Sequence, residues 1–445
     1  MSEQGKSSNH QLQRSLGPLM IWGLGVGYVI SGEYFGWNLG LEHGGPYGML
    51  VATAIVTLMY VAFVLSYAEV ACAIPRAGGA FVYADRAFGR DIGFLAGVAQ
   101  LIEFVFAPPA IAFAIGAYFQ NYVPGLPILV LAVGAYLLFT GLNIWGVKHS
   151  AVFELVITVL AVGELITFAG VTLPHFEWKN FSSNPLPHGW SGVLPAIPFA
   201  IWFYLAIEGV ANIAEEAKDP QRNISRGFIY AMGTLVTLAL LTFFSSIGVA
   251  GWEAIVFDPV TRQPSDSPLP LALTKVVGGN HLLYHLLITV GLFGLIASFH
   301  GILLVAGRAT FEFGRVGYLP QALGKTLPGR KTPASALLVN MLVGFLALAT
   351  GRTGDIITLA AFGALMLYLL SMLSLFKLRQ KEPELERPYL APLYPLLPGL
   401  ACGLAAFCFV AMMVYNLEVG IVFLGIFLGC WLLFRVIGPS SAAAS

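Results

Sequence analysis

Hydrophobic residues occur in this chain in long runs separated by shorter polar segments. The runs are about 20 residues long, which a helix needs to cross roughly 30 Å of hydrocarbon. They do not alternate apolar and polar residues with period two, as the strands of a membrane β-barrel do. Because backbone groups in lipid must be satisfied internally, the pattern predicts an all-α membrane protein of about twelve transmembrane helices.

The predicted helices leave five longer connections between them, at 74–90, 173–191, 251–281, 313–332 and 379–392. The helices themselves are predicted at 17–40, 46–73, 91–120, 125–146, 149–172, 192–216, 224–250, 282–312, 333–350, 354–378, 393–415 and 418–436. Helices 1 and 6 both contain interruptions. Paired interruptions in two halves of a chain are the pattern that indicates a transporter's binding site.

The distribution of positive charge supports this helix count. With the N-terminus in the cytoplasm and alternating sides, 19 of the 23 Lys and Arg fall in cytoplasmic segments and helix ends. Only Lys179, Arg262, Lys275 and Arg352 fall outside them. Because one missed helix would exchange the two sides, the bias predicts a multi-pass protein of the inner (plasma) membrane with both termini cytoplasmic. The polar N-terminal segment has no apolar core typical of a cleaved signal peptide.

Composition excludes several other classes of protein. Hydrophobic residues make up 57% of the chain and charged residues 10%, against about 25% charged residues in soluble domains. The zero net charge offers no attraction for nucleic acid. The four cysteines lie in apolar runs without C-x-x-C spacing, so no metal site is expected. The P-loop and hydrolase motifs are missing from the sequence, so neither an enzyme nor a bound cofactor is expected.

Helix 1, WGLGVGYVISGEYFGWNLG, contains the first candidate site. Its glycines weaken helical continuity and predict a break near Ser31-Gly32-Glu33. Close packing against another helix explains Gly23 and Gly27. It does not explain Glu33, because a carboxylate inside an apolar run costs roughly 2.5–3.5 kcal/mol on insertion scales. Glu33 is therefore a candidate functional residue.

Two more acids stand beside features that interrupt a helix. Glu208 lies deep in helix 6 with no basic residue nearby, and it is either a gating or proton-binding group or a structural hydrogen-bonded acid. Glu103 precedes Phe106-Ala107-Pro108-Pro109, where the prolines predict a break in helix 3. This makes Glu103 and Ala107 candidates for the substrate site.

Helix 5 contributes two further acids, Glu154 and Glu164, and helix 8 contains His300. A single helical histidine is more often a packing residue than a ligand, which is the favoured interpretation of His300. No Lys or Arg lies within the predicted spans to neutralise the acids. They are therefore either protonated or in contact with water and cations.

Three motifs resemble the amino acid–polyamine–organocation superfamily. Ile30-Ser31-Gly32 resembles its Gly-Ser-Gly segment, and IPRAGGAFVYADRAFG resembles the loop that follows its second helix. Helix 6 is similar in its aromatic segment from Trp202 to Glu208 and in the following AEEAKDPQRNISRG. The resemblance covers nearly the whole chain. Within the superfamily, GYVISGEYFGWNLGLEHGG most resembles ethanolamine permeases.

The resemblance implies a LeuT-type fold that works by alternating access, with helices 1 and 6 discontinuous around the substrate. Two inverted repeats would cover 17–172 and 192–378, followed by two extra helices in 393–436. It implies main-chain substrate contacts at Ser31 and Gly32, an aromatic gate at Trp202, and a helix 6 acid at Glu208.

The chain departs from the family pattern at several positions. Ile30 replaces a small residue, Glu33 an apolar one, and Ala206 a glycine. The helix 5 lysine of several proton-coupled members aligns with Ala161, and Glu164 follows one turn later. This puts a lysine-based proton mechanism in doubt and adds Glu164 to the candidates for gating or proton coupling, with Glu208 and Trp202.

The acidic residues near the helix breaks indicate the charge of the substrate. Amino-acid carriers of this fold direct a half-helix N-terminus at the substrate carboxylate. Glu33, in the first turn after the break, is expected to satisfy those backbone donors itself and to favour a cation. Glu103 and Glu208 would add negative charge, and Ser31 would bind a hydroxyl group. An ammonium would be covered through cation–π contact by four aromatic rings, those of Tyr34, Trp202, Phe203 and Tyr204. Two small residues, Ala107 and Ala206, would line the same site.

The sequence thus predicts a secondary transporter that imports a small cationic amine, most simply ethanolamine. The alternative is a proton-coupled permease or exchanger for neutral or cationic amino acids. A receptor is a third alternative, which tracer accumulation would exclude. The expected partners are the small-molecule substrate, protons as the candidate coupling ion and the lipid bilayer, and the protein is expected to be a monomer or a weak oligomer.

Overall fold

The computed structural model describes residues 15–76, 78–146 and 150–437. Among these residues ten helices are long and apolar enough to cross a membrane. Two more predicted spans are present as shorter helices, Pro18–Val29 and Ala334–Leu348. Both termini are predicted to be cytoplasmic. The terminal segments themselves, 1–14 and 438–445, lie outside the described residues, and so does Lys148.

The helices follow the predicted order, and most ends lie within four residues of their predicted positions. They are α1 (Pro18–Val29), α2 (Ser31–Tyr34), α3 (Gly40–Ala73), α4 (Ala80–Phe88), α5 (Arg90–Gln120), α6 (Ile128–Trp145), α7 (Ser150–Thr172), α8 (Trp178–Phe181), α9 (Ile197–Trp202), α10 (Pro220–Ala250), α11 (Glu253–Val256), α12 (Pro268–Val277), α13 (Leu282–Arg315), α14 (Ala334–Leu348), α15 (Thr353–Lys381), α16 (Leu396–Tyr415) and α17 (Leu417–Ile437). Short 3-10 helices cover Trp37–Leu39, Leu173–His175, Gly189–Val193 and Ile207–Glu216. The prediction of an all-α membrane fold is confirmed.

The break in the first span lies later than predicted. A turn at Ile30 separates α1 from α2, but Ile30 itself keeps a helical φ of −58°. The backbone becomes extended at Phe35, with φ −162° and ψ 175°, and turns at Gly36 with φ 88°. Gly36 lies in the left-handed region, where a side chain is disfavoured. The main departure from helix is therefore at Phe35-Gly36 rather than at Ser31-Gly32-Glu33.

The sixth span is discontinuous, as predicted. Helix α9 ends at Trp202, and the chain resumes as the 3-10 helix Ile207–Glu216. Between them Ala206 has φ 75° and ψ 11°. An L-residue in this left-handed conformation costs roughly 1–2 kcal/mol, which glycine avoids. The conformation thus accounts for the glycine that the resembled family carries at this position.

The predicted break at Phe106-Ala107-Pro108-Pro109 is wrong. Helix α5 continues through both prolines to Gln120. Each proline removes one backbone donor, but a membrane helix tolerates this when neighbouring helices pack around it. Helix α5 is buried over most of its length, and α15, α13, α4 and α6 pack against it.

The broken helices lie inside the bundle, and other helices form its outer surface. Residues of α9 and of the 3-10 helix up to Ala214 are buried. Helices α6, α7, α16 and α17 expose large apolar side chains, such as Leu138, Val156 and Val410, as lipid-facing helices do. The fold therefore encloses both breaks in protein. The boundaries of the two repeats remain a prediction.

Candidate functional site

The two helix breaks contact each other directly. A Cβ atom on Gly32 would overlap the carbonyl oxygen of Trp202 and lie 3.1 Å from Cα of Phe203. A Cβ atom on Gly36 would lie 2.5 Å from the Trp202 indole ring. The same indole meets Phe35 edge-on, with ring centroids 5.4 Å apart. The segments 31–33 and 202–204 thus meet at Gly32 and Trp202, and we call these six residues the helix-break junction: Ser31, Gly32, Glu33, Trp202, Phe203 and Tyr204.

Glu33 is the unpaired acid of the helix-break junction. Its side chain is fully buried, and neither carboxyl oxygen has a hydrogen-bond partner among the described residues. The Trp37 indole, on which Phe203 stacks at 5.7 Å, donates to the Glu33 main-chain carbonyl at 3.2 Å. The expectation that Glu33 satisfies backbone donors at the break is therefore wrong.

Tyr34 faces away from Trp202, toward α7 and α13. Its hydroxyl donates to Oε2 of Glu164 at 2.7 Å and lies 3.2 Å from the carbonyl oxygen of Ala161. Its carbonyl accepts a hydrogen bond from the Tyr118 hydroxyl at 3.2 Å. Its ring packs against Gly294. Glu164 thus reaches helix 1 through Tyr34, and the predicted ring contact of Tyr34 with substrate is not part of this arrangement.

Glu103 and Glu208 form a second group on the helix 6 side, which we call the acid pair. Oε1 of Glu103 accepts the backbone N–H of Ala206 at 3.0 Å, so the acid fixes the left-handed bend. Oε2 of Glu208 accepts the Tyr368 hydroxyl at 2.9 Å, and that hydroxyl also lies 3.1 Å from the Tyr60 hydroxyl. Oε2 of Glu103 and Oε1 of Glu208 have no hydrogen-bond partner among the described residues, and the two carboxyl groups are neighbours. One proton placed between them would satisfy both.

The remaining predicted residues lie around these groups. The Ser31 hydroxyl accepts a hydrogen bond from Ser298 at 2.8 Å, which ties α2 to α13. The Tyr204 hydroxyl bonds to Thr57 at 2.8 Å. Ala107 is fully buried in α5, one turn beyond Glu103. The structure therefore gathers the predicted residues around the helix 6 break, except for Tyr34 and Glu164, which meet on the far side of α2.

Several polar residues of these groups are not predicted from the sequence. Ser298, Thr57, Tyr60 and Tyr368 supply the hydroxyl groups described above. Each lies in a mainly apolar run, and hydroxyl-bearing residues are too common in membrane helices to indicate a site. His300 meets Phe139 edge-on at 6.1 Å, as expected of a packing residue.

Comparison with known proteins finds permeases and transporters similar to this chain. The model of a family described as amino acid permease matches residues 16–430. An uncharacterised transporter of Rhizobium meliloti (strain 1021) is 28% identical, over 87% of this chain and 84% of its own length. The branched-chain amino acid permease BcaP of Bacillus subtilis (strain 168) is 26% identical, over 89% and 87%. The low-affinity putrescine importer PlaP of Escherichia coli (strain K12) is 27% identical, over 89% of both chains.

These relatives are named as permeases and transporters, not as enzymes, which confirms the predicted class. The match covers the two broken helices and the spans that pack around them. With its membrane-spanning helices, the chain is a multi-pass transporter of amino acids or amines. It belongs to the amino acid permease family.

Proposed function

We propose that this permease imports a small cationic amine, ethanolamine, by alternating access, and that Glu33 binds the ammonium group. The observation that supports the proposal is the Glu33 carboxyl, buried at the helix-break junction without a donor among the described residues. A buried carboxylate is costly unless it is paired. An ammonium group supplies both the charge and three hydrogen-bond donors that this carboxylate lacks.

The surroundings of Glu33 suit a cation with a small polar tail. The rings of Trp202, Phe203 and Tyr204 belong to the same junction as Glu33, and a cation against such a ring face would gain about 0.5–2 kcal/mol. The Ser31 hydroxyl, placed by Ser298, is suited to the substrate's hydroxyl group. A substrate carboxylate would instead enter a region that already contains Glu33, with the acid pair on its helix 6 side.

The alternative is a proton-coupled amino-acid permease. The Bacillus subtilis relative is named for branched-chain amino acids, which carry a carboxylate. The Escherichia coli relative is named for putrescine, which is a carboxylate-free amine. The two relatives are 26% and 27% identical to this chain, so similarity to them does not distinguish an amino acid from an amine as the substrate. The unpaired Glu33 favours the amine.

Proton coupling is assigned in this proposal to the acid pair. We propose that Glu103 and Glu208 share one proton, which Glu208 releases or binds when the bend at Ala206 that Glu103 holds moves. Glu164 is the second candidate, because its hydrogen bond to Tyr34 links α7 to helix 1. The location we propose is the inner membrane, with both termini cytoplasmic and the protein a monomer or weak oligomer.

Uptake of labelled ethanolamine into proteoliposomes tests the proposal. Loss of a hydrogen bond to a charged group costs about 1.5–3 kcal/mol, so Glu33→Gln should weaken apparent affinity at least about tenfold. Glu154→Gln is the matched control, because Glu154 is equally buried but lies in α7 against Gly27. Both variants should keep the wild-type melting temperature to within a few degrees. Normal ethanolamine uptake by Glu33→Gln would show that Glu33 does not bind the cation.

Competition separates the two substrates. Putrescine and other small amines should inhibit ethanolamine uptake, and alanine and arginine should inhibit it less. An amino acid that competes more strongly than unlabelled ethanolamine would establish the alternative. A protein that is stabilised by ligand but accumulates no tracer would be a receptor.

A further inference from the structure

A groove on the outside of the bundle has features of a ligand site. It lies between α5, α14, α15 and α17 and has a volume of about 560 Å³. Its walls are apolar and include Phe106, Leu346, Val422 and Ile426. None of the residues of the helix-break junction or the acid pair lines it. It is therefore separate from the proposed substrate site.

The groove has charged residues at one end only. These are Arg352, Asp355 and Glu418, at the starts of α15 and α17. Arg352 Nη1 lies 3.3 Å from Oδ2 of Asp355. Glu418 has no ion pair with any residue that the structure describes. The rim thus presents one cation and two anions.

The depth of the groove matches one leaflet of a bilayer. Glu418 and Ile426 are eight residues apart on α17, which corresponds to about 12 Å at 1.5 Å per residue. Half of the hydrocarbon core measures about 15 Å. The charged rim then lies at the interface with water, and the apolar walls lie at the depth of an acyl chain.

We propose that this groove binds one phospholipid with a zwitterionic headgroup that carries an ammonium. The lipid phosphate lies beside Arg352, the ammonium lies between Asp355 and Glu418, and an acyl chain lies along the walls. An anionic lipid also offers a phosphate to Arg352, but it brings no positive partner for Glu418, and Asp355 would then share Arg352 with the phosphate. The net negative rim therefore favours the zwitterion.

The position of the groove gives such a lipid a direct effect on the transporter. Ile356 lines the groove, and Cδ1 of the next residue of α15, Ile357, lies 2.9 Å from the position that a Cβ atom on Gly36 would take in the helix 1 break. A lipid that fills the groove braces this part of α15. Lipid binding in this groove does not depend on which substrate is transported.

Native mass spectrometry of the purified full-length protein tests the assignment. The protein is incubated with phosphatidylethanolamine, phosphatidylcholine or phosphatidylglycerol of identical acyl chains, and retained lipid is counted. We expect one retained molecule of either zwitterionic lipid, at least about fivefold more occupied than with phosphatidylglycerol. Glu418→Gln should abolish this preference, whereas Glu253→Gln, an exposed acid outside the groove, should retain it. Phosphatidylglycerol retained equally or better by the wild type would overturn the headgroup assignment.

Groove-filling variants test the location. Val422→Trp and Leu346→Trp fill the groove from opposite walls, and Val410→Trp is a control on α16. Val422 and Val410 are 51% and 61% exposed, so both substitutions face lipid. Each groove variant should lose the retained lipid, and the control should keep it. Retention by both groove variants would place the lipid elsewhere. Two groove variants are used so that lipid retention can still be measured on one of them if the other aggregates.

Discussion

Replacement of Gly32 with alanine tests whether the two helix breaks depend on their close fit. The added Cβ would overlap the Trp202 carbonyl oxygen and lie 3.1 Å from both the Trp202 carbonyl carbon and Cα of Phe203. All of these atoms belong to the backbone, so no side-chain rotation relieves the contact. Either α2 or the end of α9 has to move.

The magnitude follows from two opposing contributions. Gly32 has no left-handed backbone angle, so alanine is favoured by helix propensity, by up to about 1 kcal/mol. Overpacking of a well-packed interior costs typically 1–3 kcal/mol, and here the upper part of that range applies because backbone has to shift. The net loss is about 1–2 kcal/mol for the arrangement in which the two helix breaks touch. A loss of 1.4 kcal/mol corresponds to a tenfold change in apparent substrate affinity.

The assay compares Gly32→Ala with Gly163→Ala in α7, where an added Cβ meets nothing within 4 Å. The control gains the same helix propensity without the overlap, so its melting temperature should be unchanged or higher. Gly32→Ala should lower the melting temperature and raise the substrate concentration that gives half-maximal uptake about tenfold. If the two variants behaved alike in both measurements, the close fit of the breaks would be irrelevant and the reasoning would fail.

Three further predictions concern substitutions at single residues, Ala206, Glu69 and Asp266. Ala206→Gly removes a left-handed penalty of roughly 1 kcal/mol, so the melting temperature should not fall, and a clear decrease would contradict this. Glu69→Gln weakens a buried ion pair with Arg379 at 2.6 Å and should destabilise by about 3 kcal/mol, seen as a large drop in melting temperature. Burial raises the pKa of Asp266 from 3.8 to about 6, so the folded state binds the proton more tightly and loses stability as pH rises through this window. Melting curves from pH 4 to 7 should show this loss in the wild type and not in Asp266→Asn.

Helix number and order are predictable because the bilayer fixes the length of each apolar run. The prediction of 282–312 and the observed Leu282–Arg315 begin at the same residue for this reason. Glu33 is also identifiable, because a carboxylate is costly wherever it lies within such a run. These features depend on local sequence and on the surrounding solvent.

Features that depend on tertiary contacts are not predictable in the same way. The position of the helix 1 break at Phe35-Gly36 depends on where the Trp202 ring packs. The continuity of α5 through its prolines depends on the helices around it. The hydrogen bond from the Tyr368 hydroxyl to Glu208 joins residues 160 positions apart. No local sequence pattern around either residue predicts this hydrogen bond.

The corrected geometry changes the reason for expecting a cationic substrate. Glu33 precedes the extended residues of helix 1, and its own N–H bonds to the Ile30 carbonyl at 3.0 Å. If its carboxyl occupied the backbone donors of the break, it would only block a substrate carboxylate and would need no cation. Because both of its oxygens lack a donor among the described residues, an ionised Glu33 needs one from outside this set. A transported ammonium would meet that need, whereas a neutral ligand would leave the ionised carboxylate without a counter-charge.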